Sequence, residues 1–349
     1  MSNLNEFVER LSRSDEAERT YAAEDIGFMN GPEGVPVLLE RLEKEPSRAV
    51  RDAIFQALIR IDAKAAIEGC IGLLESDDPQ IRNQAVEVLR SKGPTAFPFL
   101  GTLMREGDKD LRKLVLDVLS ALPAGGAEDI YEAALSDPDP NVVITAVEII
   151  GQTRAVQFRC TIEKLLLADS HPMLCGACLE ALAGMGNEQS LVAIRLRFQN
   201  LAALPELFLV SCLKAIGSLG TERDFGEVAD LLAVRPGHLR PAILTTLNAI
   251  YERHPTQVHC DHLLPILQAM IGNDDSPLSS YQAVRALRYL SPRDEVHSLL
   301  VSCLSHPERL IRLGAIETLR ETKWPDLDRL LALRAIDEPD EEILQALYC

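Results

Sequence analysis

A ladder of small and aliphatic residues recurs about every 31 residues, and it constrains the fold of this chain more than any other feature. Each clear copy carries apolar residues at i, i+4 and i+8, as in Ile81/Ala85/Leu89. The middle residues of the ladders are Ala22, Ile54, Ala85, Val115, Ala146, Cys178, Cys212, Ile243, Ala283 and Ala315, separated by 30 to 34 residues apart from one step of 40. Such a period indicates stacked structural repeats.

Each period also contains a second amphipathic segment, which precedes the ladder, as at Phe97–Met104 and Leu263–Met270. Its apolar residues fall on one face, as a half-buried helix requires. Gly or Pro follows most ladders and ends the helix, whereas Asp-Pro, Ser-Pro and His-Pro pairs stand where the ladder helix begins. The sequence therefore predicts an all-α chain of about ten helical hairpins with no β-sheet.

Two helices per period, with Pro and then Arg opening the second, resemble HEAT repeats over nearly the whole chain, from about Asn3 to Cys349. The short period is similar to the bacterial subset found in phycobilin lyases and related phycobilisome proteins. The resemblance implies an α-solenoid (an α-α superhelix) of about ten HEAT-like hairpins. It also implies one continuous array over residues 1–349.

In HEAT repeats, an Arg near the start of the second helix pairs with an acidic residue of the same ladder. The resemblance implies this structural role at the matching positions, Arg51, Arg82, Arg112, Arg240 and Arg312. Val143, Cys175 and Leu209 depart from the pattern, so we expect the polar ladder to weaken in the middle of the chain.

The net charge of −18 comes from 53 acidic and 35 basic residues. A nucleic-acid interface needs a basic stripe, which this sequence lacks, and the same charge disfavours anionic membranes. No signal peptide and no apolar span of membrane length is visible. The eight cysteines are therefore interpreted as reduced thiols, and we expect a cytoplasmic protein.

The step of 40 residues contains His254, His259, Cys260 and His262, which are side chains of types that bind zinc. Their spacing matches no compact zinc motif, so we favour a solvated loop without metal over a metal site. The extra residues of this step make 251–263 the expected hinge or insertion.

No catalytic constellation is visible: the sequence lacks a Gly-rich phosphate loop, a Ser/His/Asp set and a recognisable carboxylate pair. Cys175 and Cys178 form a CxxC, but Cys178 occupies a ladder position, so core packing is favoured over redox chemistry. We expect no cofactor, and binding is favoured over enzymatic activity.

These features favour a non-enzymatic scaffold or adaptor whose second helices present a concave surface to a partner protein. Four outward residues, Lys113, Asp117, Arg285 and Arg288, are candidate contacts, and charge reversal there is expected to leave the melting temperature nearly unchanged. A phycobilin lyase-like enzyme or a chaperone for chromophore proteins is the alternative that the resemblance leaves open.

Overall fold

The computed structural model describes residues 2–61, 64–123, 125–168, 171–255, 260, 262–273, 276–324, 327–336 and 338–348. Within these ranges the chain forms α-helices and short 3-10 segments, and no described residue lies in a β-strand. The prediction of an all-α chain is confirmed. The structure divides into two compact units, Met1–Ala155 and Val156–Cys349.

The first unit contains five helical hairpins. Its helices are α1 Ser2–Leu11, α2 Glu16–Met29, α3 Gly34–Lys44, α4 Arg48–Arg60, α5 Lys64–Leu73, α6 Pro79–Lys92, α7 Phe97–Glu106, α8 Lys109–Ser120, α9 Glu128–Leu135 and α10 Pro140–Thr153, with a 3-10 segment at Gly93–Ala96. The second helices pack side by side in the order α2, α4, α6, α8, α10, and α1, α3, α5, α7 and α9 form a parallel layer.

The second unit repeats this two-layer arrangement. Its helices are α11 Arg159–Ala168, α12 Pro172–Met185, α13 Glu188–Arg197, α14 Glu206–Leu219, α15 Glu222–Val234, α16 Arg240–Arg253, α17 Leu263–Asn273, α18 Pro277–Ala286, α19 Asp294–Cys303, α20 Arg309–Thr322, α21 Leu327–Ala335 and α22 Glu341–Tyr348. Four 3-10 segments lie at Val156–Phe158, Leu201–Ala203, Gly237–Leu239 and Leu287–Leu290. The second helices α12, α14, α16, α18, α20 and α22 pack in sequence.

The core lies between the two helix layers, and the ladders build it. All ten middle residues have an exposed fraction of 0%. Their neighbours one helical turn away, such as Leu89, Leu119 and Leu247, are buried as well. The burial of every middle residue confirms the helical register that the repeat predicts.

Proline and acidic residues start several second helices as predicted. The side chains of Asp78 and Asp139 accept hydrogen bonds from backbone amides of α6 and α10, whose first residues are Pro79 and Pro140. The His-Pro pairs behave differently. His171 makes no side-chain cap, and α20 begins two residues after Pro307, with Glu308 as its cap.

Bidentate ion pairs between Arg and a carboxylate join successive hairpins. Arg112 on α8 donates from Nε and from its terminal nitrogen to Asp137, at 2.6 and 2.8 Å. Arg312 on α20 pairs with Glu338 in the same way at 3.1 and 2.8 Å. In both pairs the carboxylate lies in the turn of the following hairpin, not in the same ladder as the resemblance implied.

The pair formed by Arg19 and Glu45 shows this arrangement most completely. Arg19 donates to both carboxylate oxygens of Glu45 at 2.9 and 3.0 Å and to the carbonyl oxygens of Arg13 and Ser14 at 3.1 and 2.8 Å. One guanidinium therefore ties the turn of its own hairpin to the turn of the next, through four hydrogen bonds from donors in a fixed plane.

Two other arginines at the matching positions form fewer bonds than these bidentate pairs. Arg51 makes a single bond to Asp78 at 3.1 Å, and Arg82 donates only to the carbonyl oxygen of Ser76. Val143, Cys175 and Leu209, which replace Arg, are buried apolar residues. Bidentate pairs thus occur at Arg19, Arg112 and Arg312, and the three successive repeats that follow Arg112 have an apolar residue at this position.

We predict that Val115→Asp and Ile243→Asp each lower the unfolding free energy by about 4 kcal/mol or more, because an unpaired charge enters a helix interface. Both residues are fully buried. Thermal melting followed by circular dichroism measures the loss. Thr245→Asp, on the exposed side of α16, is the control and should melt close to the parent.

The Arg19–Glu45 pair predicts a specific dependence of stability on pH. Burial raises the pKa of Glu45, but hydrogen bonds from Arg19, the Ser47 amide and Arg41 lower it more, so the pKa lies below its ordinary value. The stabilisation is therefore present above the unfolded-state pKa of about 4.3 and is lost as the pH falls through the folded-state pKa.

Glu45→Gln should lower the unfolding free energy at neutral pH by about 3 kcal/mol, because it leaves a buried guanidinium without its counter-charge. The difference between parent and variant should close as the pH falls below about 4. Denaturant unfolding at several pH values measures this difference, with Glu132→Gln, at an exposed position of α9, as control. A difference that stays constant down to acid pH would contradict the assigned role of Glu45.

Candidate functional site

The second helices of the first unit expose a continuous set of side chains on the side opposite their ladders. We call this set the second-helix face. It comprises Tyr21, Phe28, Asp52, Gln56, Asn83, Glu87, Lys113, Asp117, Glu148 and Gln152, all exposed except Lys113, which is half-buried. Because core and neighbour contacts use the other positions of each helix, these residues face solvent.

Two exposed aromatic rings lie at the start of this face. Tyr21 is 58% exposed and Phe28 is 70% exposed, both on α2. The guanidinium of Arg60, at the end of α4, lies 4.7 Å from the centroid of the Phe28 ring. Large exposed aromatic side chains are enriched in protein interfaces, where burial of each contributes strongly to binding.

A small pocket lies between α4 and α6. It encloses about 240 Å³, and its lining residues are Arg48, Arg51, Asp52, Phe55, Gln80, Ile81, Asn83, Gln84 and Glu87. Phe55 is only 1% exposed and forms part of the wall. The side-chain amides of Gln80, Asn83 and Gln84 have no hydrogen-bonding partner among the described residues. The pocket thus combines an aromatic wall with donors and acceptors that the fold does not use.

A wider groove follows along the same helices, between α6, α8 and Thr145 on α10. It encloses about 940 Å³. Lys113 and Asp117, both predicted as contacts from the sequence, line it together. Acidic residues dominate the remaining charged lining: Glu75, Asp77, Asp108 and Asp110, against Arg82 as the other cation. The structure therefore brings two of the four candidate residues into one acidic groove.

Arg285 and Arg288 lie in the second unit, within a polar network among second helices. Arg285 pairs with Glu317 at 3.5 Å and with Glu321 at 2.8 Å. Arg288 pairs with Glu321 and, at 3.4 Å, with Glu252. Arg288 is only 7% exposed. The sequence predicted an outward side chain at this position, and that prediction is wrong, because the two glutamates and neighbouring tyrosines enclose it.

The tyrosines of this network are held in their neutral form. Burial raises the pKa of Tyr281 to about 12, helped by its hydrogen bond to Glu317. Burial also raises the pKa of Tyr289, whose ring packs at 4.6 Å from that of Tyr251. The charges of the network pair with one another, although Nε of Arg288 is buried without a hydrogen-bond partner among the described residues, so we assign the network to stability. Arg285 remains partly exposed at its edge.

The His/Cys segment is described in part. Cys260 is 3% exposed, and its sulfur lies 3.4 Å from Nε2 of His262, which lies 2.7 Å from Oδ1 of Asp230. His259 lies outside the described residues, as do residues 256–258 and 261 of the predicted hinge at 251–263. Among the described residues, no three His, Cys, Asp or Glu side chains are grouped as metal ligands. The single array and the hinge remain predictions.

The CxxC cysteines belong to the core of α12. Cys175 is 1% exposed and Cys178 is 0% exposed. Cys212, in the equivalent place on α14, is also fully buried, and burial raises its thiol pKa to about 12. The cysteines in the described part of the chain form no disulfides. The prediction that these residues fill the core is confirmed.

None of the described helices combines the length and apolar character that crossing a membrane requires.

Comparison with known proteins agrees with this architecture. Residues 4–90 match the family model for HEAT repeats. A segment of 87 residues is 33% identical to the bilin biosynthesis protein PecE of Mastigocladus laminosus. That match covers 24% of this chain and 32% of PecE, so the chain spans about a third of the length of this curated relative. The resemblance to HEAT repeats of the phycobilisome type is thereby confirmed.

Solved structures show the same fold. A chain from the complex of Kap95p with RanGDP superimposes with a TM-score of 0.61 at 13% identity, over 99% of this chain and 54% of that one. A chain from a study of cadherin and beta-catenin gives a TM-score of 0.46 at 14% identity, over 99% of this chain and 93% of that one. The Kap95p likeness identifies an α-solenoid of HEAT or armadillo type.

We predict opposite outcomes for two charge reversals that sequence alone treats as equivalent. Arg288→Glu should lower the unfolding free energy by about 3 kcal/mol or more, because it places a third carboxylate beside Glu252 and Glu321. Lys113→Glu should change it by less than about 1 kcal/mol, since it lies on a solvated groove. Thermal melting of the two variants distinguishes buried from surface roles, and equal melting temperatures would contradict this assignment.

Proposed function

We propose that this protein is a non-enzymatic scaffold that holds another protein on the second-helix face of its first unit. One observation carries the proposal. The pocket between α4 and α6 presents three side-chain amides without partners beside the aromatic wall of Phe55. Gln80 and Asn83 are exposed and Gln84 is half-buried, so these amides can form hydrogen bonds with a partner from rigid helices.

The rest of the face supports the same function. Exposed aromatic rings, an apolar pocket and an acidic groove follow one another on α2, α4, α6 and α8. Each feature lies on a helix whose opposite side is locked into the core, so binding requires little ordering of the backbone. The Kap95p solenoid, which shares the fold, forms a complex with RanGDP.

A phycobilin lyase-like enzyme, or a chaperone for chromophore proteins, is the second candidate. The identity of 33% with a bilin biosynthesis protein favours it. The acidic groove opposes it, however, because bilins carry carboxylates that Glu75, Asp77, Asp110 and Asp117 would repel. We therefore place the scaffold function first.

Site-specific photo-crosslinking tests the scaffold function. A benzophenone amino acid replaces Gln56 or Lys113 on the second-helix face, and the protein is irradiated in cells of its own source. We expect one and the same polypeptide to be attached at both positions and to be identified by mass spectrometry. Glu132, exposed on α9 of the other layer, is the matched control position and should give no such adduct.

Adducts from Glu132 alone, or none at either face position, would contradict the proposal. The second candidate gives a different result in a parallel assay. If purified protein shifts the absorbance of added phycocyanobilin and transfers it to a phycobiliprotein subunit, the lyase-like function replaces the scaffold function. An unchanged spectrum is the outcome that we expect.

A further inference from the structure

We infer that the partner binds through an extended segment with one apolar side chain and, a few residues away, a group of basic side chains. The apolar side chain fills the pocket between α4 and α6, and the basic side chains lie in the groove between α6, α8 and Thr145. This inference rests on the proposed function and adds the chemistry of the segment that the second-helix face recognises.

The size of the pocket selects a single side chain. Its volume of about 240 Å³ is below the ~300–1,000 Å³ of sites for drug-sized molecules. Phe55 and Ile81 provide an apolar wall for an aliphatic or aromatic group. Anchors of this kind, buried in a preformed pocket, carry most of the binding energy in many interfaces.

The charged residues around the pocket are largely neutralised within the fold. Arg51 is bound to Asp78, and Glu87 is bound to Arg90 at 2.6 Å. Arg48 lies 3.9 Å from Asp52 on the same helix. Because these charges are paired, the rim does not strongly repel either a positively or a negatively charged side chain. The pocket therefore selects its occupant by shape and by burial of apolar surface.

The unused amides determine the conformation of the segment. Gln80, Asn83 and Gln84 each offer a carbonyl acceptor and an NH2 donor. A helix or sheet would already use its own backbone groups, whereas an extended segment offers free N–H and C=O groups beside its anchor. The amides therefore bind the main chain on either side of the apolar residue.

The neighbouring groove supplies charge complementarity. Glu75, Asp77, Asp110 and Asp117 line it, and none of the four forms an ion pair among the described residues. The two cations of the lining, Arg82 and Lys113, do not balance them, because Asp108 also lines the groove and five carboxylates stand against two positive charges. Basic side chains of a partner reduce this repulsion and favour rapid association.

The helix spacing sets the distance between anchor and charges. Neighbouring packed helices lie about 8–10 Å apart, and an extended chain advances about 3.3 Å per residue. The pocket borders α4 and α6, and the groove borders α6 and α8. Lys or Arg residues should therefore occur about two to three residues from the apolar anchor.

Selection from a random peptide library on the immobilised full chain tests this inference without knowledge of the natural partner. We expect enriched peptides to share an aromatic or aliphatic residue with Lys or Arg at that spacing. A fluorescent copy of the strongest peptide is then titrated against variants. Asp110→Lys with Asp117→Lys should weaken its binding by about tenfold or more, and so should Asn83→Trp, which blocks the pocket.

Asp129→Lys with Glu132→Lys on α9 is the matched control. It changes the net charge by the same amount as the groove variant, and like that variant it replaces an aspartate in the first turn of a helix. Because α9 lies in the other helix layer, the affinity for the peptide should stay within about twofold of the parent. Circular dichroism confirms that each variant is folded. Enrichment of peptides without basic residues, affinity that survives the groove and pocket variants, or no enrichment at all would overturn the inference.

The two proposals fail in different ways. If crosslinking at Gln56 and Lys113 attaches a partner while selected peptides lack the expected pattern, the second-helix face binds a protein but not this kind of segment. If neither position gives an adduct, the proposed function fails whatever peptides are selected.

Discussion

The apolar ladder of each second helix can be buried only against the first helix of its hairpin and the second helices beside it. A hairpin alone would leave half of this surface in water, so each one depends on its neighbours. The middle residues of all ten ladders have no exposed surface, so stacking buries them completely. Since the interfaces are local, stability is distributed along the chain and does not reside in one central core.

Polar interactions fix how one hairpin follows the next. Arg19, Arg112 and Arg312 each reach from the start of a second helix to a carboxylate in the following turn. Lys92, at the end of α6, reaches back to the preceding hairpin and donates to the carbonyl oxygens of Ile59 and Ile61 at the end of α4. Apolar packing tolerates sliding between helices, whereas these directed bonds specify one register.

The outward positions of the second helices serve neither the core nor these links. In the second unit, Arg285, Arg288 and their glutamates use such positions for an internal network. In the first unit, the amides beside the pocket and the groove carboxylates Glu75, Asp77, Asp110 and Asp117 have no hydrogen-bonding or ion-pair partner within the described part of the chain. The outward positions of the second unit therefore stabilise the fold, whereas those of the first unit can bind a partner. This is why we assign partner binding to the first unit.

The sequence predicted the helical hairpins, the buried rungs and the capping aspartates, because each depends on residues within one or two turns. It also selected Lys113 and Asp117, since their positions relative to the rung Val115 determine exposure. The sequence did not indicate the pocket beside Phe55, because its walls belong to helices from two different repeats. Only the amides spaced along α6 offered a signal, and amides on a helix surface are common.

Periodicity by itself determined that this chain folds as stacked hairpins, because apolar residues at helical spacing leave a single face to bury. Only the tertiary structure decided whether a long outward side chain is enclosed by neighbouring side chains or exposed to solvent. Arg288 and Lys113 occupy similar outward positions, yet one is enclosed by Glu252 and Glu321 and the other borders an open groove. That difference depends on the side chains that neighbouring repeats supply some thirty residues away, and no local pattern encodes it.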